Sequence, residues 1–421
     1  MRRALITALV VTAALLLGAP PAAAHPMPHS VVLLDVHETS VTARLELPSA
    51  DLDLARGGEP VRTYLAAHIR PLSTDGRAWT VTVGEVAVGS AEQTSTGPYQ
   101  EITATATLTP PAGGDLRHFT LGYDVIVHRV VTHTVLVSVR RDWAGGRLSS
   151  SSTQVGTIQI DNRTMTVPAL RVDLGDGSRW SGLLAMVELG AEHILQGADH
   201  LLFLLILLLP APLLAAGGRW SGSGGPRSTV ARIARTTLAF TIGHSAALAV
   251  SASTHLDLPA WPVESFIAAS ILVGAAHAVR PIFPGREAAV AAFFGLGHGL
   301  AFSFTLAELR LSTGRLALSL FGFNLGIELV QLALVALALP VLVAVARTRF
   351  GHRFRLTAAA LTGVAAAGWL IARLGRPNPV ASVADSVGTH PTVLLTALVG
   401  AAAAAVLILT RRSAATRTRH G

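Results

Sequence analysis

Cysteine and lysine are both absent from the chain. Without cysteine there is no disulfide and no thiolate ligand, so any metal site must be built from imidazole, carboxylate, thioether or backbone groups. Without lysine the basic balance, formally +8, rests entirely on arginine. Charge of either sign is scarce: 14% of the residues are charged against 51% hydrophobic, and mean hydropathy is positive. That combination excludes disorder and an ordinary soluble chain, and it points to several membrane spans.

What is present is sharply partitioned. The start, MRRALITALVVTAALLLGAPPAAAH, carries Arg2 and Arg3, an apolar core and a small-residue site at Ala22-Ala23-Ala24, the pattern of a secretory signal peptide over residues 1–24. Residues 25–179 are then expected outside the membrane. Their short alternating runs, such as SVTARLEL, WTVTVGEVAVG and QEITATATL, are rich in Val, Thr and Ile and separated by Gly, Pro and Asp, which predicts an antiparallel β-sandwich.

From Leu183 the pattern changes to long apolar blocks near 183–214, 232–253, 261–280, 287–308, 315–346, 355–374 and 391–410. About 20 apolar residues span a bilayer, so residues 180–411 are expected to form a polytopic α-helical bundle of about seven transmembrane helices. The first is expected to be broken. Residues 412–421 form a basic cytoplasmic tail.

Arginine tests this topology. Arg219, Arg227, Arg232, Arg235, Arg280, Arg286, Arg347, Arg349, Arg353, Arg355, Arg411, Arg412, Arg417 and Arg419 fall in loops on one side, whereas the other side has only Arg310, Arg315, Arg373 and Arg376. The bias is positive-inside, agrees with the leader, and accounts for the basic charge without nucleic acid. The expected location is the bacterial plasma membrane, multi-pass, with the β domain outside and the C-terminus cytoplasmic.

Against this apolar background the stretch GAEHILQGADHLLFLLILLLP places Glu192, His193, Asp199 and His200 beside the most hydrophobic run. An ionisable group in hydrocarbon costs at least about 2.5–3.5 kcal/mol. On an unbroken helix His193 and His200 would share a face but stand about 10 Å apart along the axis. A break at Gln196-Gly197 would fold His193 back toward Asp199 and His200. Capping explains Asp199 alone and neither histidine.

Other blocks repeat the chemistry: Thr241, His244 and Ser245; Glu264 and Ser265; His298 among Gly295, Gly297 and Gly299; and Asn324, Glu328 and Gln331 on one helical stripe. Singly, each is a satisfied interhelical hydrogen bond more often than a ligand. Together, on about five helices, they favour a polar cavity or ion path. Imidazole and carboxylate without thiolate suit Ni, Co, Zn or Cu(II), and the same groups can relay protons.

HILQGADHLLFLL resembles the His, five residues, Asp-His signature of the HupE/UreJ proteins, hydrogenase and urease accessory membrane proteins regarded as nickel permeases. FTIGHS, FFGLGHGLAF and FNLGIELVQL follow in order, so the likeness runs from about Gly190 to Pro340, and the leader with a β-rich region resembles the family's longer members. The resemblance implies metal handling through His193, Asp199 and His200, with His298 from the second motif. That motif, Phe-His-Gly-x-(Ala/Val)-His-Gly-x-Glu, is only partly kept: Phe294 stands where the first His is expected, Gly297 at the Ala/Val position and Ala301 at the Glu.

The expectation is a non-enzymatic permease for a divalent transition-metal substrate, nickel favoured, then cobalt, copper or zinc. His193, Asp199, His200 and His298 would hold the ion, His244, Asn324 and Glu328 would line the path, and Glu264 would stand at its mouth. Glu328 or His298 would couple protons. At a mature terminus beginning HPMPHS, His25 and His29 would chelate metal, with Met27 and His37 nearby, and His128 and His133 would lie near each other in a strand pair. Expected partners are the ion, the bilayer and an extracytoplasmic metal carrier or metalloenzyme maturation factor. The alternative is a non-transporting metal receptor or assembly factor. No His-Glu-x-x-His or serine-nucleophile motif supports an intramembrane hydrolase.

Overall fold

A computed structural model describes residues 29–93, 97–148, 151–254, 259–301, 309–346, 348–388, 395–396 and 398–406. The leader, His25, Met27 and the basic tail lie outside these residues. The chain divides into two compact units: Met1–Arg140 with Ser151–Gly175, and Arg141–Ser150 with Asp176–Gly421.

The first unit is built on strands β1 (Ser30–Val36), β2 (Val41–Pro48), β3 (Ile69–Ser73), β4 (Thr80–Gln93), β5 (Gly97–Thr109), β6 (His118–Tyr123), β7 (Val135–Asp142), β8 (Thr153–Ile158) and β9 (Leu170–Asp173). They form a six-stranded sheet, β4-β5-β2-β1-β7-β8, and a three-stranded sheet, β3-β6-β9. Alternation in sequence becomes alternation in burial: Val41, Ala43, Leu45 and Leu47 of β2 face a core that Phe119, Leu121 and Val172 enter from the other sheet. Two helices, α1 (Ser49–Arg56) and α2 (Val61–His68), interrupt the expected all-β pattern. Pro48 and Pro60 precede them, so proline starts each short run; a left-handed glycine, Gly57 at φ 56°, stops α1, whereas α2 passes into β3 at the extended Ile69.

Deep in this unit Ser30, His133 and Asp51 form a relay. Asp51 Oδ2 accepts from His133 Nδ1 at 2.9 Å, and Ser30 Oγ lies 2.7 Å from His133 Nε2. The Ser30 and His133 residues are 0% and 1% exposed, so the order Ser-His-Asp here gives no substrate access and serves to pin β1 and α1 to the segment preceding β7. Burial pushes the His133 imidazole below its ordinary value, against the opposing pull of Asp51.

The second unit contains α3 (Arg179–Gln196), α4 (Ala198–Leu208), a hairpin of β10 (Leu213–Ala216) and β11 (Arg219–Ser223), α5 (Pro226–Thr254), α6 (Ala260–Val279), α7 (Glu287–Ala301), α8 (Thr313–Ala346), α9 (Gly351–Arg373) and α10 (Pro379–Gly388). The hairpin turns through Gly217 and Gly218, both at positive φ, as a tight two-residue connection requires. Among the described residues, four helices are long and apolar enough to cross a membrane, or five if the bent pair α3–α4 is one span. The protein is thus a multi-pass membrane protein preceded by a β-sheet unit. Of the seven apolar blocks, the two others are α7, whose block runs on into 302–308, and 391–410; both extend outside the described residues.

Candidate metal site in the helical unit

The expected break falls at Gly197, where φ −81° and ψ 95° are extended, and the axes of α3 and α4 differ by 73°. A Cβ on Gly197 would lie 2.7 Å from His200 Nδ1 and 3.0 Å from Asp199 Oδ1, so the turn needs glycine for space. The bend brings the His193 and His200 rings to 4.6 Å between centroids.

Glycine contacts then set the neighbouring helices. Side chains at Gly243, Gly295 or Gly299 would run into the carbonyls of Ala292, Phe240 and His244, so α5 and α7 meet backbone to backbone; Gly190 and Gly326 do the same for α3 and α8. Small-residue seams of this kind drive close helix packing in lipid. They carry His244 and His298, each 0% exposed, into the middle of the unit.

One ligand atom from each of His193, His200 and His244 lies within 4.8 Å of the others. Asp199 Oδ1 accepts from the His200 backbone N–H at 2.8 Å and lies 2.9 Å from His200 Nδ1. With Nδ1 donating to the carboxylate, the His200 lone pair is directed through Nε2. That atom is buried without a hydrogen bond, as are both ring nitrogens of His244, with the Asn324 amide beside the latter. Leaving a buried polar atom unmatched costs about 1–3 kcal/mol, so the arrangement makes sense as a set of ligands. His298 stands one layer away: its ring is 4.9 Å from that of His200, and its Nε2 is 3.1 Å from Ser270 Oγ.

His200 of this cluster lines two cavities. One, of about 780 Å³, is lined by His193, Asp199, His200, Glu264, Arg373 and Asp385. At its rim Glu264 Oε2 accepts from Arg373 Nε at 3.1 Å, and Asp385 accepts from the Trp369 indole at 2.8 Å. The other, of about 30 Å³, is lined by His200, Phe203, Phe240, Gln331, Arg232 and Glu287 among others. The Phe203 and Phe240 rings, 5.0 Å apart, pack on His298. Thr241 Oγ1 lies 2.9 Å from Glu328 Oε2 and 3.2 Å from Gln331 Oε1, joining α5 to the polar stripe of α8. Asn324 instead donates to the Leu320 carbonyl at 2.7 Å. His29 and His37 belong to the other unit, where the His29 amide donates to Gln93 at 3.3 Å and His37 Nε2 meets Thr42 Oγ1 at 3.0 Å.

Residues 171–373 match the family model described as HupE / UreJ protein. Over that segment, a little under half of the chain, the protein is similar to the HupE/UreJ family. Every histidine of the cluster lies inside the matched HupE/UreJ segment, and nearly all of the β unit lies outside it. No curated protein and no solved structure matches the chain. Sequence reasoning did not foresee Ser270 or Asp385. Neither carries a local motif, and each became visible only when another helix was packed against it.

Proposed function

We propose that the protein is a plasma-membrane permease for a divalent transition-metal ion, nickel or cobalt, taken up through the helical unit. The observation that carries this reading is the trio of imidazoles from α3, α4 and α5, of which His200 lines both a wide cavity and a narrow one. His193, His200 and His244 would bind the ion, with Asp199 orienting His200 and supplying negative charge. Three neutral nitrogen donors and a nearby carboxylate suit Ni, Co, Zn or Cu(II), and they offer no sulfur that would hold Cu(I).

The wide cavity opens at the end of the unit bearing Glu264, Arg373 and Asp385; the narrow one runs to the end bearing Arg232 and Glu287. With arginine counted as the cytoplasmic marker, the first end faces outward, and the β unit is exported. The geometry then corresponds to a state open to the outside and closed inward by Phe203 and Phe240. Glu264 and Ala301 line the same cavity, so Glu264 can supply the carboxylate that position 301 lacks. Passage past the aromatic pair would lead to Gln331, Thr241 and Glu328.

A host lacking its own nickel uptake, expressing the native protein or His200→Ala with His244→Ala, tests this by elemental mass spectrometry of the cells. Nickel or cobalt should rise with the native protein and return to background in the equally expressed variant. If neither metal rises, or the variant equals the native protein, the permease reading fails. The replacement of two second-motif residues by Phe294 and Ala301 favours a non-transporting metal receptor as the second reading. In that case purified protein binds metal while cellular content does not change.

A further inference from the structure

We propose that His68, Asp124 and His128 form a second divalent transition-metal site, in the β unit, separate from the histidines of the helices. It does not rest on the transport reading. The site follows from strand register. β3 and β6 pair with Ile69 opposite Tyr123, so the next step along each strand sets His68 against Asp124, and the Asp124 amide donates to the His68 carbonyl at 3.2 Å. The chain then turns back on itself: the His128 amide donates to the Asp124 carbonyl at 3.2 Å. Within that turn Ile126, a β-branched residue, holds φ 66°. Such a conformation costs of order 1–3 kcal/mol and persists only where its surroundings enforce it. Here Tyr64 Oη accepts from the buried Ile126 amide at 3.0 Å.

The result is a preformed donor set. The His68 and His128 rings are stacked, 4.3 Å between centroids and 13° from parallel, with the Tyr64 ring 4.4 Å from that of His68. One ligand atom from each of the three residues lies within 4.8 Å of the others. His128 Nδ1 is 2.9 Å from the Asp124 carbonyl, and a carbonyl only accepts, so this nitrogen carries the proton and Nε2 carries the lone pair. His68 Nδ1 is likewise 2.8 Å from Asp124 Oδ1. A second nitrogen held by carbonyl or carboxylate is the usual way a ligating imidazole is oriented. The His68 and Asp124 side chains are 21% and 20% exposed, open enough to load from solution. Arg70, 2.6 Å from Asp124 Oδ2, shares the carboxylate and weakens its hold on a cation. The site therefore suits an ion that is captured and released. With at most three protein ligands, coordination positions stay open to water or to a ligand brought by the ion.

The test uses full-length protein in detergent, purified without a polyhistidine tag and titrated with nickel alone. In a His25→Ala, His29→Ala, His200→Ala, His244→Ala background one equivalent of nickel should remain bound, and adding His68→Ala with His128→Ala should remove it. Arg70→Gln should tighten it several-fold. Footprinting of native protein with diethylpyrocarbonate, which needs no variant to fold, should show His68 and His128 protected at least five-fold by nickel. Unchanged modification of both residues, or a nickel equivalent that survives their replacement, would overturn the proposal.

Discussion

His133 in the β unit and His244 in the helical unit are equally hidden, 1% and 0% exposed, yet they stand in opposite chemical conditions. Each ring nitrogen of His133 has a protein partner, Ser30 on one side and Asp51 on the other. Neither nitrogen of His244 makes a well-formed hydrogen bond among the described residues; the Asn324 amide lies beside this ring, with two further imidazoles close by. The comparison teaches that burial alone does not mark a functional histidine. A buried imidazole whose donors and acceptors are all answered is a structural pin; one without such partners, beside others of its kind, has the chemistry of a metal ligand.

The two aspartates beside these histidines give the sharpest way to break the comparison. Under the proposed function Asp199 acts on the ion through His200, and Asp199→Asn should then leave the protein folded and lower nickel uptake about 10–100-fold, the usual loss when an orienting partner is removed. Uptake assayed as cell-associated nickel at matched expression measures it. A loss no larger than that of a substitution at exposed Ser228, which lines neither cavity, would show that Asp199 does not orient the site.

Much of this contrast was legible in the sequence, but unevenly. The His-x5-Asp-His stretch with an internal glycine announced both the break at Gly197 and the pairing of His193 with His200, because a local backbone event decides them. His244 was expected to line the path rather than join the trio. Its depth depends on Gly243, Gly295 and Gly299, which fix how closely α5 and α7 approach, and that distance is a tertiary quantity. The His68–Asp124–His128 cluster was not foreseen at all. Residues 68 and 124 meet only through the β3–β6 register, and periodicity gives strands without giving their partners. His128 and His133 were expected to be neighbours; they instead serve different clusters, divided between the turn after β6 and the relay at Ser30. The helices α1 and α2 were readable from proline and glycine punctuation, and the alternating runs around them obscured that signal.

On the structural side of the comparison, Asp51→Ala should cost about 1–3 kcal/mol in the β unit, because His133 Nδ1–H would be buried without an acceptor. Trp79 is the unit's own tryptophan, and its indole donates to Ser73 at 2.8 Å. The fluorine resonance of fluorotryptophan at this position therefore follows unfolding of the unit in urea within the full-length protein. Nickel uptake per folded molecule should not change. A midpoint equal to the native one would mean that the relay is not a pin.

The smallest effect is the pH dependence of the same relay, and its sign follows from burial. The imidazolium of His133 is disfavoured in the folded state mainly by desolvation, with Asp51 opposing that effect, so the folded value lies below the 6.5 of the unfolded chain. Between those two values the unfolded chain binds more protons, and folding stability rises with pH there. The contribution is complete above about pH 6.5 and is lost as pH falls through the folded value. The Trp79 urea midpoint should thus be lower at pH 5.5 than at pH 7.5, and His133→Gln should remove that part of the slope. The contrary slope, a unit strengthened by acid, would mean that Asp51 outweighs burial and that the relay is an ion pair in place of a neutral hydrogen-bond chain.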